Sequence, residues 1–243
     1  TTNLNELFQI VNVEHGEPHH VLGMHEVEHD GKKFVAVRAF VPQAKEIVVV
    51  DDADKEKMYP MMKIHEDGFF EVIIEDRKEW FKYQLSLTDY EENHWITYDA
   101  YSFAPTISEY DRYLFGAGNH YKIFEKLGAH ITTVDGVEGV SFGVWAPNAK
   151  AVSVIGTFNS WDSRRNPMRV LGESGIWELF IPGLREYDQY KYQIKDKYNN
   201  VCDKADPYAS FAQLRPDTAS VIYDNSRYTW GDSAWLDDRS SEH

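Results

Sequence analysis

Residues 81–88 read Phe81-Lys82-Tyr83-Gln84-Leu85-Ser86-Leu87-Thr88, apolar at every odd position and polar at every even one. A period of two marks a strand with one face in a core and the other in water. The pattern returns at 190–195, where Tyr190, Tyr192 and Ile194 alternate with Lys191, Gln193 and Lys195. Around it, Val140 to Trp145 and Val152 to Ile155 read as further short apolar strands set apart by turn residues.

These strands belong to an internal repeat, and a repeat governs the whole fold. Leu22, Gly23 and His25 recur as Leu127, Gly128 and His130, and Pro42, Ala44 and Lys45 as Pro147, Ala149 and Lys150, at a shift of 105 residues. The shift drifts to 107 where Gly68, Phe70 and Glu71 answer Gly175, Trp177 and Glu178, and to 109 for Lys82 and Tyr83 against Lys191 and Tyr192. Asp99 and Phe103 close the first copy as Asp206 and Phe211 close the second. Such copies, about 100 residues each, predict an all-β chain of two tandem immunoglobulin-like antiparallel β-sandwiches, without the paired cysteines of antibody domains.

Helices are expected to be short and peripheral. Leu4, Leu7, Phe8 and Val11 fall at i, i+3, i+4 and i+7 behind Asn3 as an N-cap, which predicts an opening helix. The expected organisation is a first module over 1–107, an ordered junction over 108–130, a second module over 131–224 and a lead-in over 225–243. The junction carries Tyr110, Tyr113, Leu114, Phe115, Tyr121 and Phe124 and is no flexible linker, so it is expected to pack between the modules. Trp145 and Trp177 answer Phe40 and Phe70 and read as core residues.

Composition narrows the partners. The 243 residues carry a net charge of −15, which repels a phosphate backbone or an anionic bilayer, so neither nucleic acid nor membrane is an expected partner. Cys202 is the lone cysteine, no basic segment followed by an apolar one opens the chain, and apolar runs stay far below the roughly 18 residues needed to span lipid. The expected address is cytoplasmic. His15, His19, His20, His25 and His29 crowd one stretch, but Gly16, Pro18 and Gly23 break the helix that would align them, and no metal site is expected. His25 and His130 recur with the repeat, which points to a structural role.

The sharpest local signal is Gly156-Thr157-Phe158-Asn159-Ser160-Trp161-Asp162. Sugars offer a flat patch of C–H bonds ringed by hydroxyls, and proteins meet them with an aromatic face and nearby polar groups. Trp161 supplies the face, Asn159 an amide, Lys191 a cation, and Tyr198 with Asn199 a second ring and amide. Each has a plain alternative: Trp161 as a packed loop residue, Lys191 as the wet face of its strand, Tyr198 and Asn199 as hairpin-turn chemistry.

At these residues the chain resembles carbohydrate-binding module family 48. The resemblance implies that Trp161 and Lys191 touch an α-glucan, with Tyr198 in the second aromatic position. Tyr113-Leu114-Phe115-Gly116, the segment 119–130, Lys204-Ala205-Asp206-Pro207-Tyr208 and Arg215-Pro216-Asp217-Thr218-Ala219-Ser220 extend the likeness to the N-terminal region of bacterial 1,4-α-glucan branching enzymes of glycogen biosynthesis. That family carries two such modules ahead of a catalytic (β/α)₈ barrel and works without metal or nucleotide cofactor. It implies a non-catalytic α-1,4-glucan-binding region whose partner is the barrel, for which the 19 residues after Asp224 leave no room. A stand-alone glycan-binding or scaffold protein and the binding module of a debranching enzyme are the alternatives. At the repeat position of Trp161 the first module has Glu56, so its expected role is structural or docking.

Overall fold

The computed structural model describes residues 2–29, 31–227 and 231–241. In the first half, β1 (Gly23–His29), β2 (Lys32–Phe40), β6 (Phe69–Ile74) and β5 (Met62–His65) form one sheet, ordered β1-β2-β6-β5. The facing sheet is β4 (Met58–Pro60), β3 (Ala44–Asp51), β7 (Tyr83–Asp89) and β8 (His94–Tyr98). The second half repeats this plan. One sheet is β12 (Arg169–Val170), β13 (Ile176–Pro182), β10 (Val137–Trp145) and β9 (Gly128–Val134). The other is β11 (Ala149–Gly156), β14 (Gln189–Asp196), β17 (Ser220–Val221) and β16 (Phe211–Ala212), with β15 (Val201–Lys204) also paired to β14. Pairings along these ladders are antiparallel.

Alternation does the sorting. Tyr83, Leu85 and Leu87 point into the first core with Val35, Val37, Ile47 and Val49, and Tyr190 and Tyr192 into the second with Val140, Phe142, Val152, Val154 and Leu179. Their phenols are satisfied by buried carboxylates at equivalent places: Tyr83 donates to Asp99 at 2.6 Å, Tyr190 to Asp206 at 2.6 Å and Tyr192 to Asp206 at 3.3 Å. Burial pushes both carboxyls above the usual Asp range, although these phenols and backbone N–H donors oppose the shift.

The repeat reaches beyond the strands. α1 (Leu4–Val11) is capped by Asn3, whose side chain accepts from Asn5 N at 2.9 Å. It lays Leu7 and Ile10 on Val21, Leu22, Phe40 and Phe69, each buried aliphatic contributing about 1.5–3 kcal/mol. α2 (Glu109–Gly116), opened by a Ser108/Asp111 capping box, stands 105 residues later and brings Phe115 to Ile107, Leu127, Leu171 and Ile176. The stretch 108–130 therefore does not pack between the modules as expected. It roofs the second module's own sheet, because that sheet has an apolar outer face to cover just as the first one does. Trp177 is buried, but Trp145 is exposed and edge-on to Phe115, so only one of the two expected core tryptophans is in the core.

Histidines 25 and 130 have matching jobs: Nε2 of each lies 2.9 Å from a carbonyl, Leu22 O and Leu127 O. A carbonyl can only accept, so Nε2 carries the proton in both. Buried glutamates recur too. In the first module Glu71 meets Arg38 across the β2–β6 pair at 2.9 Å, and Thr2 donates to it at 3.0 Å. In the second, Glu178 meets Arg169 across β12–β13, Arg169 donating to Oε2 through Nε and Nη2 at 3.1 and 3.0 Å. Thr106 donates to Glu178 Oε1 from its backbone N and Oγ1 at 2.6 and 2.7 Å. Arg38 has Gly143 as its repeat position, and Arg169 has Met62, so the same carboxylate is neutralised from opposite neighbouring strands.

The modules are packed together by residues 99–107 and the N-terminal segment. Tyr101 donates to Pro167 O at 3.2 Å, Arg169 to Phe103 O at 3.1 Å and Val170 N to Gly16 O at 2.8 Å, while the Phe103 and Phe180 rings meet edge-on. His19 stands edge-on to Tyr101 with both ring nitrogens buried and, among the described residues, without a hydrogen-bond partner. Burial, with Arg169 nearby, pushes its imidazole down to about 2. Folded His19 stays neutral, whereas unfolded His19 gains a proton below about pH 6.5, so stability held above that pH is lost as the solution is acidified. His15 and His25, also lowered chiefly by burial, add to the same trend. We expect the unfolding free energy difference between pH 7 and pH 5, measured by urea titration, to shrink by about 2 kcal/mol in His19→Leu. An undiminished difference would remove His19 from the acid response.

Among the described residues, no helix is long and apolar enough to cross a membrane, and no group of three or more His, Cys, Asp or Glu is placed to hold a metal ion.

Candidate functional site

The loop carrying Trp161 is held from within by two buried residues, Gly156 and Asn159. Gly156 ends β11 with Gln189 O and the Phe158 ring so close that a Cβ would lie 2.2 and 2.5 Å from them, so only glycine fits between β11 and β14. A single 3₁₀ turn, Thr157–Asn159, follows and sets Phe158 beside Phe142. Asn159 then locks the loop from inside. It is 1% exposed, its Oδ1 accepts from Gly156 N, and its Nδ2 donates to Val154 O and Asn166 Oδ1, all at 2.8 Å. Asn159, expected to meet sugar, instead has both its Nδ2 donors and its Oδ1 engaged within the loop while it borders the groove beside Ser160.

Ser160 and Trp161 that follow are both left-handed, with φ of +56° and +61°. For a bulky residue this conformation costs of order 1–3 kcal/mol and survives only where the surroundings impose it. Here Trp161 N donates to Gly156 O at 3.0 Å and Asp162 N to Asn159 O at 3.2 Å, closing the loop around the bend. The indole is left 39% exposed. Its neighbours Ser160 and Asp162 border an open groove of about 320 Å³, shared with Pro42, Gln43 and Asp67 of the first module. Burial works against ionisation of Asp162, but hydrogen bonds from Arg164 hold its carboxyl below the usual range.

Lys191 lies in register with Ile155 near the same end of the sheet, on the outer face, and donates to Thr218 Oγ1 at 2.9 Å. Sequence reasoning does not single out Thr218, because a polar run such as Asp217-Thr218 has no periodicity to place it. Tyr198 and Asn199 lie elsewhere. β14 runs from Lys191 to Asp196 before reaching them, about 17 Å of strand at 3.4 Å per residue. Their turn is tied by Asp196, which accepts from Tyr198 N, Asn200 N and Asn200 Nδ2. The first module has the same turn, with Asp89 accepting from Glu91 N, Asn93 N and Asn93 Nδ2. Asn199, at φ +65°, occupies the left-handed position that Glu92 takes at +63°, and its Oδ1 accepts from Lys150 at 3.0 Å. Tyr198 is 73% exposed under the Lys197 ammonium. Of the five expected site residues, then, Trp161 and Lys191 share one end of the sheet, Asn159 supports them from within, and Tyr198 and Asn199 form a hairpin tip at the other end.

Residues 3–101 match the family described as alpha-1,4-glucan branching enzyme GlgB, N-terminal domain, and residues 126–209 match carbohydrate-binding module 48, the isoamylase N-terminal domain. The 1,4-alpha-glucan branching enzyme GlgB of Thermosynechococcus vestitus is 45% identical over 241 residues, which cover 98% of this chain and 31% of that protein. GlgB of Trichodesmium erythraeum is 42% identical over 240 residues, 98% of this chain and 30% of that protein. The chain thus spans about a third of the length of these curated relatives. A pullulanase of Anoxybacillus sp. LM18-11 solved with maltotriose is 16% identical over 82% of this chain and 27% of its own, at a TM-score of 0.37, too loose a likeness to place any residue. With both matches in this order along one chain, and with relatives that align from end to end of it, the protein belongs to the branching-enzyme family as its GlgB N-terminal domain followed by a carbohydrate-binding module 48 domain.

Proposed function

We propose that the second module holds an α-1,4-glucan chain against Trp161 and Lys191, as the binding region of a cytoplasmic branching enzyme. The remaining two thirds of that enzyme, its catalytic barrel, would transfer α-1,4 chains to form α-1,6 branches. In this reading the present region presents chains and braces the barrel and takes no part in bond cleavage. What carries the reading is one observation: an exposed indole kept in a costly left-handed backbone conformation by a fully buried asparagine. A loop under no demand to present that ring has cheaper conformations. Lys191 and the Thr218 hydroxyl beside it supply the donors and acceptors that a sugar rim requires.

The test is calorimetric titration of the chain with maltoheptaose. Trp161→Ala should bind about fivefold more weakly, the equivalent of about 1 kcal/mol of lost stacking. Equal affinities for wild type and variant would remove the site. Binding should change little between low and moderate salt, because a neutral ligand releases no counterions.

A further inference from the structure

The first module lacks a ring at the position of Trp161, yet the lysine just ahead of β7, the counterpart of Lys191 in β14, opens onto a cavity. Lys82, the repeat counterpart of Lys191, borders a space of about 350 Å³ at the seam of the two modules. That lies within the range of small-molecule sites. Trp80, Phe81, Tyr98 and Phe103 line it with rings, and Trp80 is 58% exposed. The rim is polar. Lys82 Nζ rides 5.0 Å from the Tyr98 ring centroid, donates to Asp135 O at 2.9 Å and lies 3.9 Å from Asp52 Oδ2. Asp135 and Gly136 join β9 to β10 with φ of +49° and +76°, the tight hairpin turn that carries Asp135 across to the first module. Asp135 also lines the cavity, and among the described residues its carboxylate accepts no hydrogen bond.

We propose that this seam cavity is a second α-glucan site, with Trp80 as its stacking face and Lys82 and Asp135 as its hydroxyl-binding rim. It takes its ligand class from the reading of the second module but shares no residue with the Trp161 site. The lining selects for such a ligand. Flat apolar faces with donors and acceptors at one edge match a pyranose, whereas the Asp135 carboxylate and the strongly negative chain turn away phosphates and other anions. The first module's departure at Glu56 then moves its ring to the entrance of the strand, two residues before the lysine.

The experiment labels the chain with 5-fluorotryptophan, assigns the Trp80 and Trp161 resonances by substitution, and titrates with maltotriose. Both resonances should shift. Trp80→Ala should leave the Trp161 response unchanged, and Asp135→Asn, which tolerates the same turn, should weaken the Trp80 response about fivefold. A Trp80 resonance that stays still while Trp161 saturates overturns the seam site and leaves the other standing. A moving Trp80 beside a still Trp161 does the reverse, and two still resonances at millimolar maltotriose overturn both.

Discussion

Glu178→Ala should destabilise the chain by about 3–5 kcal/mol, the cost of breaking a buried ion pair from one side. Glu178 is fully buried and accepts four hydrogen bonds, two from Arg169 and two from Thr106. Without it the Arg169 guanidinium keeps, among the described residues, only Phe103 O as a hydrogen-bond acceptor in a nearly closed site, and Thr106 is left with Ser141 as its tie to the sheet. The double change Arg169→Met with Glu178→Leu should recover part of the loss, because a buried pair replaced by apolar groups of similar volume is close to neutral. Met62 already fills the Arg169 position in the first module. Urea midpoints measure both. A single-variant loss under about 1 kcal/mol would show that the pair is not what fixes this sheet to the segment over it.

Asn159→Ala should cost about 2–4 kcal/mol, since it leaves the Gly156 N–H and Val154 C=O buried and unpaired at about 1–3 kcal/mol each. It should also weaken glucan binding at least as much as Trp161→Ala, although Asn159 itself never meets solvent. The loop that holds Ser160 and Trp161 left-handed loses its lock, and the indole gains conformations that do not face the ligand. The titration is run at a temperature where the variant is folded, checked by near-ultraviolet circular dichroism. Wild-type affinity in a destabilised Asn159→Ala would mean that the ring presents itself without the bend.

Much of the architecture was legible because alternation is local: Tyr83, Leu85 and Leu87 declare their face without reference to anything distant, and the 105-residue shift doubles the signal. α2 was harder. Its sequence shares almost nothing with α1, and the equivalence emerges only from their common place over a sheet, so 108–130 reads as an ordered junction packed between the modules. The candidate site was half legible. Trp161 and Lys191 lie toward one end of the sheet because the β11–β14 pairing brings Gly156 beside Tyr190. Tyr198 looked near Lys191 in sequence, but an extended strand turns a few residues into a long distance. Asn159 was misplaced for a different reason: a polar residue in a polar loop gives no sign that its amide faces inward. Trp80 lies in a loop before an amphipathic strand, and nothing local shows that a turn from the other module closes a cavity over it.

The two guanidinium donors also bear on how the duplicated halves have diverged. Each half has settled its inherited carboxylate with a different strand, so the halves are no longer interchangeable parts. Strand 32–40 transplanted into the later half would crowd two cations onto one anion, and the reverse transplant would take from Glu71 the guanidinium it pairs with across β2–β6. Exchange between the copies is thereby penalised, and a molecule born of repetition has become one whose pieces fit only where they stand.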